Sequence, residues 1–261
     1  NQYPDKLLTN LSNSASQQIL LPKFNLFFTP TNHLQLYFKS GKSFHSNDTR
    51  VEKKQKGQQI LPPAYGTDLG VNWKPFSKLF VNAAAWYLWL DQEFVYVGDE
   101  GVIEPSGKSR RQGIDVTMRY QITKQLFADF DMNFTEPRSL EAEKGENHIP
   151  LAPTFTSIGG FTYYAKNGLN GSLRYRYMGD RPANEDNSIV AKGYFLTDMQ
   201  VNYTKSRYNI GFSVNNIFNT KWKETQFATE TRLKEETEPV DEIHFTAGSP
   251  FFAKLSLTLF W

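Results

Sequence analysis

Residues 251–261 read Phe-Phe-Ala-Lys-Leu-Ser-Leu-Thr-Leu-Phe-Trp, an alternation with a period of two. In an extended chain Ala253, Leu255, Leu257, Leu259 and Trp261 share one face, and Lys254, Ser256 and Thr258 share the other. One face is dry and the other wet over a length that a soluble sheet seldom needs. An indole at Trp261 adds a side chain that favours a membrane–water boundary. The pattern points to a strand of a transmembrane β-barrel.

Composition removes the competing membrane architecture. Aromatic residues make up 15% of the chain, with 13 Tyr and 21 Phe, yet mean hydropathy is −0.54. The longest apolar stretch, Ala83–Leu90, is far short of the roughly 18 residues that a spanning helix needs. A net charge of +2 gives no electrostatic footprint for nucleic acid. With no cysteine the chain has neither a disulfide framework nor a thiolate metal site.

Period-two runs predict about eleven strands: Ile19–Thr29, His33–Phe44, Tyr65–Trp73, Leu79–Val97, Lys108–Ile122, Gln125–Thr135, Thr154–Ala165, Leu169–Met178, Gly193–Thr204, Arg207–Asn216 and Phe251–Trp261. Short links (Pro30–Asn32, Lys74–Lys78, Thr123–Lys124, Lys166–Gly168, Lys205–Ser206) alternate with long polar ones (His45–Ala64, Gly98–Gly107, Glu136–Pro153, Gly179–Lys192, Ile217–Pro250). Outer-membrane barrels alternate short periplasmic turns with long external loops in this way. The mixed-charge run Lys221–Glu242 reads as a mobile, solvated external loop.

Register follows from cost. In Lys108–Ile122, one face carries Arg110, Gln112, Ile114, Val116, Met118, Tyr120 and Ile122, and the other Ser109, Arg111, Gly113, Asp115, Thr117, Arg119 and Gln121. Turning the second face to lipid would cost about 2–4 kcal/mol for each Arg near the midplane, so that face is the lumen. The same rule sends Leu126, Ala128, Phe130, Met132 and Phe134 outward with Asp129, Asp131, Asn133 and Thr135 inward. It sends Leu173, Tyr175 and Tyr177 outward with Ser172, Arg174 and Arg176 inward. Trp73, Tyr120, Tyr203 and Trp261 near short turns, and Tyr65, Tyr177, Tyr194 and Trp222 near long links, are the expected interfacial girdles. Packing of these aromatics inside a soluble sandwich is the competing explanation.

Closed bacterial single-chain barrels have even strand numbers and both termini on the periplasmic side. Eleven strands beginning outside therefore predict the C-terminal part of a longer protein, residues 1–261, with 1–18 as an external-loop remnant. No secretory signal opens this chain.

Several segments in order resemble the C-terminal half of a TonB-dependent outer-membrane receptor, of the type common in Bacteroidetes-like bacteria. They are Pro22–Leu26 leading to Leu36–Asp48, then Ser106–Asp115, Pro150–Phe155, Arg174–Arg181 and Val214–Trp222, and the resemblance runs from Leu21 to Trp261. It implies a 22-stranded barrel around a globular plug, with plug domain and TonB box N-terminal to this chain. The implied role is active import of a scarce nutrient, an iron–siderophore or similar iron complex first, with no bond-making chemistry. Implied partners are outer-membrane lipid, the protein's own plug and remaining strands, the TonB–ExbB–ExbD system and a small-molecule substrate. A passive porin-like or structural barrel is the alternative, and an outer-membrane hydrolase would need a Ser/His constellation that is not assembled here.

Candidate contact residues at the external mouth and in the lumen are His45, Arg111, Arg174, Arg176 and Arg181. His45 stands beside Asn47 and Asp48, and Arg181 precedes the loop 182–187. Arg111, Arg119, Arg174 and Arg176 have a plainer reading as cross-strand partners of Asp115, Asp129 and Asp131. His33, His45, His148 and His244 lack metal-ligand spacing, so no metal or cofactor is expected. Gly41-Lys42-Ser43 and Gly107-Lys108-Ser109 resemble the end of a phosphate loop, but Leu36 and Val102 stand where its first Gly belongs.

Overall fold

The computed structural model describes residues 18–44, 61–92, 94–97, 102–105 and 107–261. Among these every regular element is a strand. In chain order they are β1 (Lys23–Thr31), β2 (Leu34–Phe44), β3 (Pro63–Phe76), β4 (Leu79–Leu90), β5 (Phe94–Val97), β6 (Val102–Pro105), β7 (Ser109–Gln121), β8 (Leu126–Ser139), β9 (Phe155–Tyr164), β10 (Leu169–Met178), β11 (Arg181–Pro182), β12 (Val190–Ala191), β13 (Tyr194–Thr204), β14 (Tyr208–Asn215), β15 (Lys223–Thr231), β16 (Val240–Ala247) and β17 (Phe252–Leu259). Eleven of them make one antiparallel sheet in the order β1-β2-β3-β4-β7-β8-β9-β10-β13-β14-β17. The remaining six form three small hairpins, each set in a long link between neighbouring strands of the sheet. The expected all-β antiparallel wall of about eleven strands is thus present, with β1 and β17 as its edges.

The short turns show why the strands end where they do. Pro30 and Pro75 lack the N–H that a ladder requires. The β1–β2 pairing shifts register between Phe28 and Thr31, and the β3–β4 pairing between Trp73 and Phe76, each shift spanning one of these prolines. Both strands nevertheless run on into the predicted turns, to Thr31 and to Phe76. At the β9–β10 turn Gly168 has φ +95°, and a Cβ there would lie 2.1 Å from the Thr204 carbonyl oxygen, so only glycine fits.

Alternation sorts the side chains as predicted. The row Phe38, Leu69, Ala85, Ile114, Phe134 and Phe155 crosses six strands on one face, entirely apolar. Leu255 and Leu257 on β17 are 74% and 64% exposed on that same outward face. Aromatic pairs flank the apolar band. Tyr65 with Trp89 and Phe155 with Tyr177, both at 5.6 Å, lie toward the long links, and Phe76 with Tyr120 at 6.1 Å lies toward the short turns.

Three expectations need correction. The predicted strand Leu79–Val97 ends at Leu90, because its partner β3 begins at Pro63, opposite the chain just beyond. Past that point the chain pairs with itself as β5–β6. The run Lys221–Glu242, read as a mobile, solvated external loop, contains most of the regular β15–β16 hairpin, its Thr residues and Val240 suiting paired strands. Tyr194 pairs with Met178 on the Arg176 side of the sheet, so it faces the interior and meets Trp222 at 4.9 Å with the rings tilted 60° instead of joining the outward girdle.

Candidate ligand-facing wall and rim cleft

The inward face is mostly polar, with apolar residues such as Phe80, Leu88 and Ile158 among its charges and amides. One register row runs Phe80, Arg119, Asp129, Gly160, Arg174, Asp198. Arg119 is bidentate to Asp131, with nitrogen–oxygen distances of 3.0 and 2.9 Å, and Asp131 also accepts from Thr117 at 2.8 Å. Arg176 meets Asp198 at 3.4 Å. Asn133 donates to Asp115. Toward β2 the ladder continues as amides. Asn82 donates to Asn72 at 2.7 Å and to the Tyr37 hydroxyl at 3.2 Å, and Asn72 donates to Gln35 at 3.1 Å.

Arg174 pairs with Asp129, two strands away. The residue between them in the row is Gly160, whose missing side chain leaves an open lane across β9. Pairs this exposed are worth about 0.2–1 kcal/mol each. A Cβ at Gly160 would lie 2.1 Å from the Leu173 carbonyl oxygen, so the lane is a requirement of the backbone as well. At this magnitude the pair orders the wet face more than it stabilises the sheet.

At the long-link end the segments 140–153 and 180–192 close on each other. Leu151 N donates to the Pro182 carbonyl at 2.8 Å, and His148 N to the Glu185 carbonyl at 3.0 Å. Over the end of β8 lies a cleft of about 500 Å³ lined by Phe134, Arg138, His148, Thr154, Asp180 and Arg181 among others; Phe134 and Arg138 belong to the outward face and Thr135 to the inward one, so the cleft sits on the rim and not inside the lumen. That volume lies in the range of small-molecule sites. Arg138 Nη1 is 3.1 Å from His148 Nδ1 and Nη2 is 3.5 Å from Glu136. Arginine only donates, so Nδ1 accepts and the imidazole is neutral. Burial, and then the Arg138 charge, hold His148 below the usual imidazole range. The Gly193 amide and the Lys192 ammonium, 2.8 Å away, hold the Asp180 carboxyl below the usual carboxylate range.

Arg181 is the outlier of this cleft. It is only 8% exposed, and its buried Nη1 has no hydrogen-bond partner among the described residues. Burial lowers its guanidinium affinity for the proton while Tyr194 and Asp180 oppose that effect. It stays charged regardless.

The predicted contact residues therefore fall in different places. Arg174 and Arg176 are on the inward face in ion pairs. Arg111 is also on that face, opposite Leu88 and Pro137. Arg181 lines the rim cleft, and His45 lies outside the described residues. Sequence reasoning missed Asp198, Arg138 and the role of His148. Asp198 was visible in the alternation of β13, but its pairing with Arg176 depends on register.

The links are pinned by amides. Gln226, 1% exposed, accepts from Lys192 N at 2.9 Å and donates to its carbonyl at 2.8 Å, docking β15 onto the neighbouring link. Asn216, at φ +51°, accepts from Thr220 N at 2.8 Å and donates to the carbonyls of Thr220 and Ser249. It thereby closes the base of the β14–β17 link.

A family model described as TonB dependent receptor-like, beta-barrel, matches residues 1–217. The catecholate siderophore receptor Fiu of Escherichia coli is 22% identical over 70% of this chain and 24% of its own length. The metal-pseudopaline receptor CntO of Pseudomonas aeruginosa is 22% identical over 95% of this chain and 34% of its own length. Among solved structures, closed Fiu of E. coli superposes with a TM-score of 0.67 at 16% identity, covering 90% of this chain and 34% of that one. The ferric yersiniabactin uptake receptor FyuA of Yersinia pestis gives 0.68 at 13% identity, covering 92% and 37%. The chain thus spans about a quarter to a third of the curated relatives it matches.

Proposed function

Because this chain belongs to the TonB-dependent receptor β-barrel family, we propose that it forms part of the wall of an outer-membrane receptor that imports a scarce nutrient by energy-coupled transport. An iron–siderophore complex is the substrate to test first, since relatives named as catecholate-siderophore and metal-pseudopaline receptors match it. The observation that supports this reading most is the two-faced antiparallel wall, apolar outward and hydrogen-bonded polar inward, over the stretch that the family model matches. The inward ladder faces the protein's own plug, and the long links form the external mouth. Force from the TonB–ExbB–ExbD system reaches the plug through the N-terminal part of the protein and opens a path along this wall.

Within the mouth, Arg181 is the leading contact for an anionic oxygen of the substrate. Its desolvation is already met in the fold, and a charge-assisted hydrogen bond would satisfy the partnerless Nη1. Arg174 and Arg176 would have to exchange aspartate partners to bind ligand; Arg111 on the inward face and His45 are further candidates. Arg181→Gln in the parent receptor is expected to weaken binding about 10- to 100-fold, the value of a hydrogen bond to a charged group.

The test of function uses cells carrying the parent receptor and a panel of radiolabelled ferric siderophores. Uptake is expected to saturate and to collapse when the proton-motive force is dissipated or TonB is deleted, while surface binding persists. Non-saturable, energy-independent flux would identify a porin-like channel instead.

A further inference from the structure

The outward face changes character abruptly toward the long links. Above the apolar row Phe38, Leu69, Ala85, Ile114, Phe134 comes a polar row, Ser40, Thr67, Tyr87, Gln112, Glu136. Above that comes Lys42, Tyr65, Trp89, Arg110, Arg138, a single register row of three cations around two aromatics. Lys108, exposed, precedes β7 with the same parity as Arg110. The equivalent row toward the short turns, Leu34, Trp73, Val81, Met118, Phe130, carries no charge.

We propose that this rim row is a binding site for the phosphate of an acidic lipid in the outer leaflet. Depth supports it. Four residues separate Arg110 from Ile114, roughly 13 Å of strand, or about 10 Å along the membrane normal at barrel tilt. That carries the cations from the hydrocarbon into the headgroup layer.

Charge supports it too. Arg110 directly opposes Arg138, a like-charge cross-strand pair that is unfavourable without an anion between. Glu136 and His148 draw off Arg138. Among the described residues Arg110, Lys42 and Lys108 have no ion pair. Lys42 stands 5.9 Å from the Tyr65 ring, which is itself 45% exposed and packs at a tilt against Trp89. An acyl chain laid on Ile114 and Phe134 would bring a lipid phosphate to these cations, whereas a free anion would gain nothing from the apolar row.

The experiment is native mass spectrometry of the full-length receptor in micelles doped with phosphatidic acid or with phosphatidylcholine of the same chains. The receptor is expected to retain phosphatidic acid preferentially. Each cation near a membrane surface contributes about fivefold, so Lys42→Gln with Arg110→Gln should cut retention about 25-fold. Lys108→Gln alone, outside any strand and therefore neutral to folding, should cut it about fivefold, and Lys124→Gln at a short turn should leave it unchanged. Equal retention of both lipids, retention unmoved in the Lys108 variant, or complete displacement by excess inorganic phosphate would each overturn the proposal. None of these outcomes touches the uptake test.

Discussion

The Arg174–Asp129 pair depends on a residue that contributes no side chain, so its energetics are testable by restoring one. A Cβ on Gly160 would lie 2.1 Å from the Leu173 carbonyl oxygen. Gly160→Val should therefore push β9 and β10 apart and close the lane. A double-mutant cycle of Asp129→Asn and Arg174→Gln, read from urea unfolding in lipid vesicles, should give about 0.2–1 kcal/mol of coupling in the parent sequence and none in the Gly160→Val background. Equal coupling in both would mean that the pair does not need the lane.

His148 offers a second test at the same scale. Its proton affinity is lowered where segment 140–153 docks, so the undocked segment takes up a proton first as pH falls. Docking is complete above the free imidazole value, about 6.5, and weakens as pH falls from there through the lower docked value. Amide-exchange protection factors of Ile149–Ala152 should drop between neutral pH and mild acid, and His148→Asn should flatten that dependence. A pH-independent protection factor in the parent would contradict the assignment of Nδ1 as acceptor.

Among the elements, the β15–β16 hairpin is held to its neighbour through one buried amide. Gln226→Ala removes two hydrogen bonds and leaves Lys192 N and its carbonyl to find water, a cost of about 1–3 kcal/mol. Exchange at the Lys192 amide should accelerate while the β14–β17 ladder stays protected. Acceleration across β14 and β17 as well would show that the hairpin supports the sheet itself.

The strands were legible because alternation is a local signal. Asp129, Asp131 and Asn133 name the wet face of β8 without reference to any neighbour. What escaped depends on pairing. The break after Leu90 follows from where β3 begins, and the Arg174–Asp129 contact from which residue of β9 stands between. The interior placement of Tyr194 follows from its pairing with Met178, against an aromatic composition that reads as girdle. The cleft escaped because Arg138 and His148 meet Arg181 only when two links fold over the strand ends.

On the scale of the whole molecule, the sheet has two edges, β1 and β17, and one apolar face. Open edges and exposed apolar side chains promote association in water. This chain expressed alone is expected to sediment as aggregates without detergent, whereas a cooperative monomer in plain buffer would indicate a soluble sandwich.

The central claim is that the two faces of this wall meet different solvents. Single cysteines at residues 111–119 of β7 in the parent receptor, placed in intact outer membranes with the plug displaced by urea, test it most directly. Positions 115, 117 and 119 should react with a charged maleimide, and 114, 116 and 118 only with a lipid-soluble one, in a strict two-residue period. Uniform labelling, or a period near four, would contradict the membrane wall and every functional statement built on it.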